Sequence, residues 1–175
     1  MRIFMMCLAF ALTNAPAYAD DEPPHALNID IVVAAPADEA WSLWTTNEGV
    51  QSFFPGAKNG GTNIELKPDG PYEFFFLPEN PEGMRGCDGC RILGWQEGKM
   101  LSFTWTNRPD HAVRPWRTHV VLRFEEIAPG WTHVSFEQDG WGEGADWRIA
   151  YDYFADGWVR VLEAFRKRLE AEAAR

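Results

Sequence analysis

Positive charge is scarce in this chain: 16 Lys and Arg stand against 26 Asp and Glu, for a formal net charge of −10. Nucleic-acid grooves and anionic membrane surfaces both select clusters of Lys and Arg, so this balance argues against either as a partner. Motifs that carry chemistry are also missing. No Ser or Cys sits in a nucleophile context such as G-x-S-x-G. No Gly-rich phosphate loop follows a strand and opens a helix. Neither an H-x-x-x-H nor a second C-x-x-C accompanies Cys87 and Cys90, so the two further ligands of a zinc site are lacking. No cofactor and no metal are expected. The apolar run at 3–12 is shorter than the roughly 20 residues that span a bilayer, so stable membrane insertion is not expected either.

That short apolar run has a different meaning. Arg2 supplies a positive n-region, residues 3–12 an h-region, and Ala17-Tyr18-Ala19 the small-x-small end that signal peptidase reads. Residues 1–19 are therefore expected to be a signal peptide cleaved after Ala19, and the protein periplasmic or secreted. A buried N-terminal helix is the alternative. Cys7 lies inside the apolar run, where it makes a poor lipid-attachment site. Residues 20–26, rich in acid and proline, read as a disordered leader, and 27–171 as one domain with one core. All nine Trp fall in the mature part, a heavy aromatic load that points to a large core or a lined cavity.

The first strand is expected at 27–33, where Leu, Ile and Val alternate with Asn and Asp. Pro36 suits helix position N1, with Asp38 and Glu39 in the first turn and Trp41 and Trp44 on one face. A second helical turn at 47–55 ends at Phe53-Phe54-Pro55, and a Gly-rich corner follows at 56–61. Strands separated by turn signals then fill 63–66, 72–77, 85–96, 101–106, 116–127 and 131–138, the pattern of an antiparallel meander. The strongest periodicity comes last. Trp147, Tyr151, Phe154, Trp158, Val161, Leu162, Phe165 and Leu169 recur at helical spacing, with Arg160, Glu163, Arg166, Lys167 and Glu170 opposite. A helix over 146–171 is predicted, long enough to cross a sheet. Gly157 inside it costs about 1 kcal/mol relative to Ala, which predicts close packing at that point. No internal repeat and no interdomain linker is found.

Cys87-Asp88-Gly89-Cys90 opens a predicted strand. In an oxidising compartment a local disulfide is the leading reading, ahead of a reduced or redox pair and of a metal site. A redox C-x-x-C sits at a helix N-terminus, and Asp88 and the flanking strand oppose the needed thiol activation. His111, His119 and His133 are scattered and read as surface histidines rather than general bases. Glu143, Asp146, Asp152 and Asp156 read as a solvated face, with Asp146 suited to a cap.

The order β-αα-strands-α resembles the helix-grip superfamily, which includes START lipid carriers, polyketide cyclases and plant pathogenesis-related allergens (the SRPBCC proteins). It is most similar there to the domain of the activator of heat-shock-protein ATPase homologue family. The resemblance is carried by residues 35–45 in the first helix, 70–74, 101–105 and 120–126 in the strands, and Asp156-Gly157-Trp158 with Val161, Leu162 and Phe165 in the last helix. It implies an α+β helix-grip fold: a curved antiparallel sheet wrapped around a long C-terminal helix, with two short helices after the first strand. It implies a shared cavity but not one activity, because members bind, transport, cyclise or regulate. The export signal departs from the pattern and argues against action on a cytosolic chaperone.

A helix lying across a bent sheet leaves an elongated space, which aromatic side chains would line. The candidates are Phe54 after the second helical turn, Phe74 and Phe76, then Trp95, and Phe103 with Trp105 on the strands. Trp141, Tyr151, Phe154 and Trp158 are the candidates before and on the helix. Tyr72, Arg85 and Arg91 are candidate polar anchors at the mouth. The loop at 106–116 falls where the family places its cavity entrance, so Trp116 and Arg114 are candidate gates by analogy. The function expected is binding of a small hydrophobic or aromatic ligand. A cyclase, dehydratase or hydrolase using the same cavity is the alternative, and a protein-interaction module the third reading. No catalytic residue is assigned and no oligomeric state follows.

Overall fold

A computed structural model describes residues 23–173; the predicted signal peptide and the start of the leader lie outside them. The chain runs β1 (Ala26–Val33), α1 (Ala37–Thr45), α2 (Asn47–Phe53), α3 (Ala57–Gly60), β2 (Thr62–Ile64), β3 (Tyr72–Phe74), β4 (Ile92–Gln96), β5 (Met100–Thr106), β6 (Arg117–Ala128), β7 (Trp131–Asp139) and α4 (Ala145–Ala173). Five strands form one antiparallel sheet in the order β1-β7-β6-β5-β4, and β2 and β3 form a separate ribbon. Alternation sorts the side chains as expected. Leu101, Phe103 and Trp105 of β5, Val120, Leu122 and Phe124 of β6, and Val134 and Phe136 of β7 are all buried on one face.

The meander is interrupted where a strand was expected at 85–96. Only residues from Ile92 onward join the sheet. Residues 87–90 instead make a tight turn, with Cys90 N–H bonded to Cys87 O and the two sulfurs joined in a disulfide. Just before it, Gly86 has φ +154°, and a Cβ there would fall 2.2 Å from the Phe74 carbonyl oxygen. No larger residue fits that approach. The expected strand at 72–77 likewise stops at Phe74. Its continuation is stitched to the turn by single bonds, Cys87 N–H to Phe74 O and Leu77 N–H to Arg85 O, at 2.8 and 2.7 Å.

Local chemistry sets the first helices. Pro36 stands one place before the expected N1 position, at the N-cap. Thr46 ends α1 and caps α2, its hydroxyl accepting the Gly49 N–H at 3.0 Å. The buried face of α1 presents Trp41 and Trp44. Tyr72 ties this layer to β3 by donating its hydroxyl to Trp44 O at 2.9 Å.

Helix α4 is 29 residues long, about 43 Å at 1.5 Å per residue. Its two halves meet different partners. Towards the C-terminus, Phe165 packs against Trp44 and Phe53 at ring distances of 5.6 and 5.1 Å, so α1 and α2 plug that end of the space under the helix. The polar side carries Arg166 paired with Glu163 and Glu170. Towards the N-terminus no short helix among the described residues fills the corresponding place, and a cavity remains.

Candidate ligand-binding cavity

The cavity has a volume of about 670 Å³ and opens to solvent. Its roof is the first half of α4, through Tyr153, Phe154, Gly157, Trp158, Arg160 and Val161. Its floor is Trp105 at the end of β5, and its walls are the segments around Phe54, Phe76 and Cys87. The apolar wall is a continuous row of rings. Phe54 lies 5.7 Å from Phe76, 5.9 Å from Trp105 and 5.8 Å from Trp158, and Trp105 lies 5.0 Å from Trp158.

A buried polar chain fixes the Trp158 end of that row. The Trp158 indole N–H donates to Gln138 Oε1 at 2.6 Å, and Gln138 Nε2 donates to Thr118 Oγ1 at 2.7 Å. Gln138 is fully buried, so its amide serves Trp158 and Thr118 rather than water. The Trp141 indole N–H donates to the Gln138 carbonyl at 3.0 Å.

Gly157 overturns the expectation of close packing. A Cβ built there meets nothing within 4 Å; the missing side chain is room under the helix, not a tight contact.

Of the ring candidates, Phe54, Phe76, Trp105, Phe154 and Trp158 line the cavity. Phe74 and Phe103 form a second row behind Trp105, at 5.3 and 6.0 Å. Trp95 packs half-buried against the core. Trp141 and Tyr151 pack on each other at 5.3 Å, with Trp141 6.1 Å from Phe154 on α4.

The three expected anchors are not at the mouth. Tyr72 is wholly buried, and burial pushes its hydroxyl well above the usual tyrosine range, so it is a structural strut. Arg85 is drawn to Asp88 at 2.7 Å by the disulfide turn and lies over the Phe75 ring. Arg91 bonds to Cys90 O and lies 4.0 Å from Glu73. Trp116 does not gate the cavity: it is 58 % exposed and faces Trp147 across a separate hollow at the start of α4. The loop turns that indole outward while its neighbour Arg114 turns inward.

The cavity's charged residues come from the 106–114 loop and α4, and Asn80 adds an amide from the segment after β3. Arg108 grips Asp110 with two bonds of 2.8 and 2.7 Å, and this holds the Asp110 carboxyl below its usual range. Arg114, with 10 % of its side chain exposed, donates to the carbonyls of Asn107 and Gly83. Burial lowers its pKa, as does nearby Arg117, while Asp88 at 3.9 Å opposes them; a guanidinium stays charged through such shifts. Arg160 is exposed on the rim and has no ion pair among the described residues. Thr106 Oγ1 and Asn107 Oδ1 are buried without a hydrogen-bond partner among the described residues.

Sequence reading placed Arg160 on the solvated side of α4 and passed over Arg108, Thr106 and Asn107. One signal was available. In Phe154-Gly157-Trp158-Val161 a glycine interrupts an apolar stripe at helical spacing, which marks the position as unusual without telling open space from tight contact, and Arg160 borders that stripe.

A second cluster has the connectivity of a catalytic relay. Ser102 Oγ is 3.1 Å from His119 Nε2, and His119 Nδ1 is 3.1 Å from Asp139 Oδ1. By strand alternation it lies on the sheet face opposite Phe103 and Trp105. Strand β5 is paired on both sides, by β4 and β6, so its amides are committed to the ladder and supply no oxyanion hole. The cluster reads as a cross-strand hydrogen-bond chain.

A curved antiparallel sheet, a long helix across it and a cavity beneath the helix define the helix-grip class of α+β proteins. Residues 34–170 match the family described as Activator of Hsp90 ATPase homolog 1-like protein, and the chain belongs to that family. Among solved structures it is similar to a protein from Mesorhizobium loti (18 % identity, TM-score 0.64, covering 83 % of this chain and 97 % of that one). A protein from Nitrosomonas europaea is similar at 21 % identity and TM-score 0.61, covering 86 % and 97 %. An HSP90 activator from Plasmodium falciparum is similar at 12 % identity and TM-score 0.58, covering 80 % and 92 %. These identities carry the fold alone. Among curated proteins no relative matches the sequence.

Proposed function

We propose that this protein binds an apolar or aromatic small molecule in the cavity under the first half of α4, and that it does so after export from the cytoplasm. The observation that carries the binding reading is Gly157, a helix position turned to open space above a row of aromatic rings. A volume of about 670 Å³ lies within the roughly 300–1,000 Å³ of small-molecule pockets. Export rests on the leader sequence, and a disulfide between Cys87 and Cys90 suits an oxidising compartment.

Catalysis in the same cavity would need a proton carrier in its wall. Among the described lining residues there is no histidine, the one carboxylate, Asp110, is tied to Arg108, and the one phenol, Tyr153, has Arg108 over its ring at 5.0 Å. With its carboxylate paired and its tyrosine half-exposed, this lining favours binding as the first reading, and a cyclase, dehydratase or hydrolase would have to work through Tyr153.

The test uses N-phenyl-1-naphthylamine, an uncharged dye that brightens in apolar surroundings. Wild-type protein should bind it saturably at one site. Gly157→Phe should abolish binding while keeping the melting temperature, because the ring enters empty space and a helix prefers Phe to Gly. Wild-type protein that leaves the dye dark would overturn the proposal, as would a folded Gly157→Phe variant that binds it unchanged.

A further inference from the structure

Cations are scarce in this chain, yet three arginines, Arg108, Arg114 and Arg160, line one cavity against a single carboxylate, Asp110. Asp110 is spent on Arg108. Arg114 is held by two carbonyls. The nearest acid to it, Asp88 at 3.9 Å, already takes a 2.7 Å bond from the Arg85 side chain and N–H donors from Gly83 and Arg85. Arg160 has no ion pair among the described residues. The lining therefore keeps two units of positive charge beside an aromatic wall, inside a protein whose net charge is −10. Low-dielectric walls strengthen the field of such charges over the opening.

We propose that the ligand is an amphipathic organic acid: its apolar body lies against Phe54, Trp105 and Trp158, and its carboxylate is held at the arginine rim by Arg160 and Arg114. This rests on the binding reading above and narrows it from any apolar molecule to an anionic one. The guanidinium fork suits a carboxylate, which accepts two N–H bonds in its plane.

The experiment displaces N-phenyl-1-naphthylamine from the full-length mature protein with dodecanoate and, separately, with 1-dodecanol, which share a chain and differ in the headgroup. Dodecanoate should compete more strongly, and its advantage should shrink as salt is raised. Arg160→Gln should weaken dodecanoate by about 3–10-fold and leave dodecanol unchanged; Arg160→Lys should restore part of the loss. Arg160 is exposed, so these variants should fold. Equal displacement by acid and alcohol, or an Arg160→Gln variant that weakens both alike, would sink the anionic ligand and leave the apolar site standing. A wild-type protein that never binds the dye removes both.

Discussion

At the scale of single residues, Gln138 decides the shape of the cavity without lining it. Its amide oxygen accepts a hydrogen bond from the Trp158 indole N–H, and its amide nitrogen donates one to the Thr118 hydroxyl. Gln138→Leu keeps the bulk but strands the Trp158 indole N–H in a buried setting, at about 1–3 kcal/mol, while the Thr118 hydroxyl keeps its bond to the Trp105 carbonyl. The melting temperature should fall by roughly 4–10 °C, and dye affinity should fall with it because Trp158 loses its fixed orientation; calorimetry and dye titration check the two effects. Gln138 was legible only as part of a strand. A polar residue among Val134 and Phe136 on an inward face carries no sign of its partner, because Trp158 is brought to it by packing. Gly157 shows the opposite case. The sequence marked it as unusual, but the reason was open space rather than tight contact, and a lone glycine in a helical stripe reads the same way for both.

At the scale of elements, the disulfide turn and the 106–114 loop together form the rim. Asp88 stands in the turn and receives bonds from Gly83 and Arg85, and its carbonyl takes Arg117 at 2.8 Å. Burial raises the Asp88 pKa, but the Arg85 side chain and the backbone N–H groups of Gly83 and Arg85 outweigh it and leave the carboxyl below its usual value. With the folded value below the unfolded one, this stabilisation is complete above about pH 5 and is lost as acid carries the protein down through the folded value. Asp88→Asn should flatten that part of the stability curve between about pH 5 and 2, measured by denaturant melts; an unchanged acid limb would show that other carboxyls set it. Replacing Cys87 and Cys90 by Ser opens a very short loop, a loss of about 2 kcal/mol in the chain-entropy picture. Reductant should lower the wild-type melting temperature and leave the double Ser variant unmoved. The sequence showed the C-x-x-C but read the segment before Ile92 as strand, since its approach to Phe74 O at Gly86 is a contact between distant parts of the chain.

At the scale of the whole molecule, the proposed export would separate this chain from an intracellular one. Expressed in a bacterial host with its leader, the protein should reach the periplasm or medium with Asp20 as its first residue, read by intact mass. Full-length protein retained in the cytoplasm would defeat that proposal. The sequence by itself determined the kinds and order of the main elements, though not the short α3 within the Gly-rich corner nor the turn at 87–90, together with the inward faces of β5, β6 and β7, the buried stripe of α4 and the family likeness. Those are local properties: alternation at period two and recurrence at three and four follow from backbone geometry alone. Only the tertiary structure decided that α1 and α2 fill one end of the space under α4 and leave the other hollow, that Trp116 turns outward, and that Arg160 borders a cavity rather than open water. A polar residue satisfies the same pattern whether it faces bulk solvent or the mouth of a pocket. Whether an interior is filled depends on where separate segments come to rest, which no single stretch of sequence encodes.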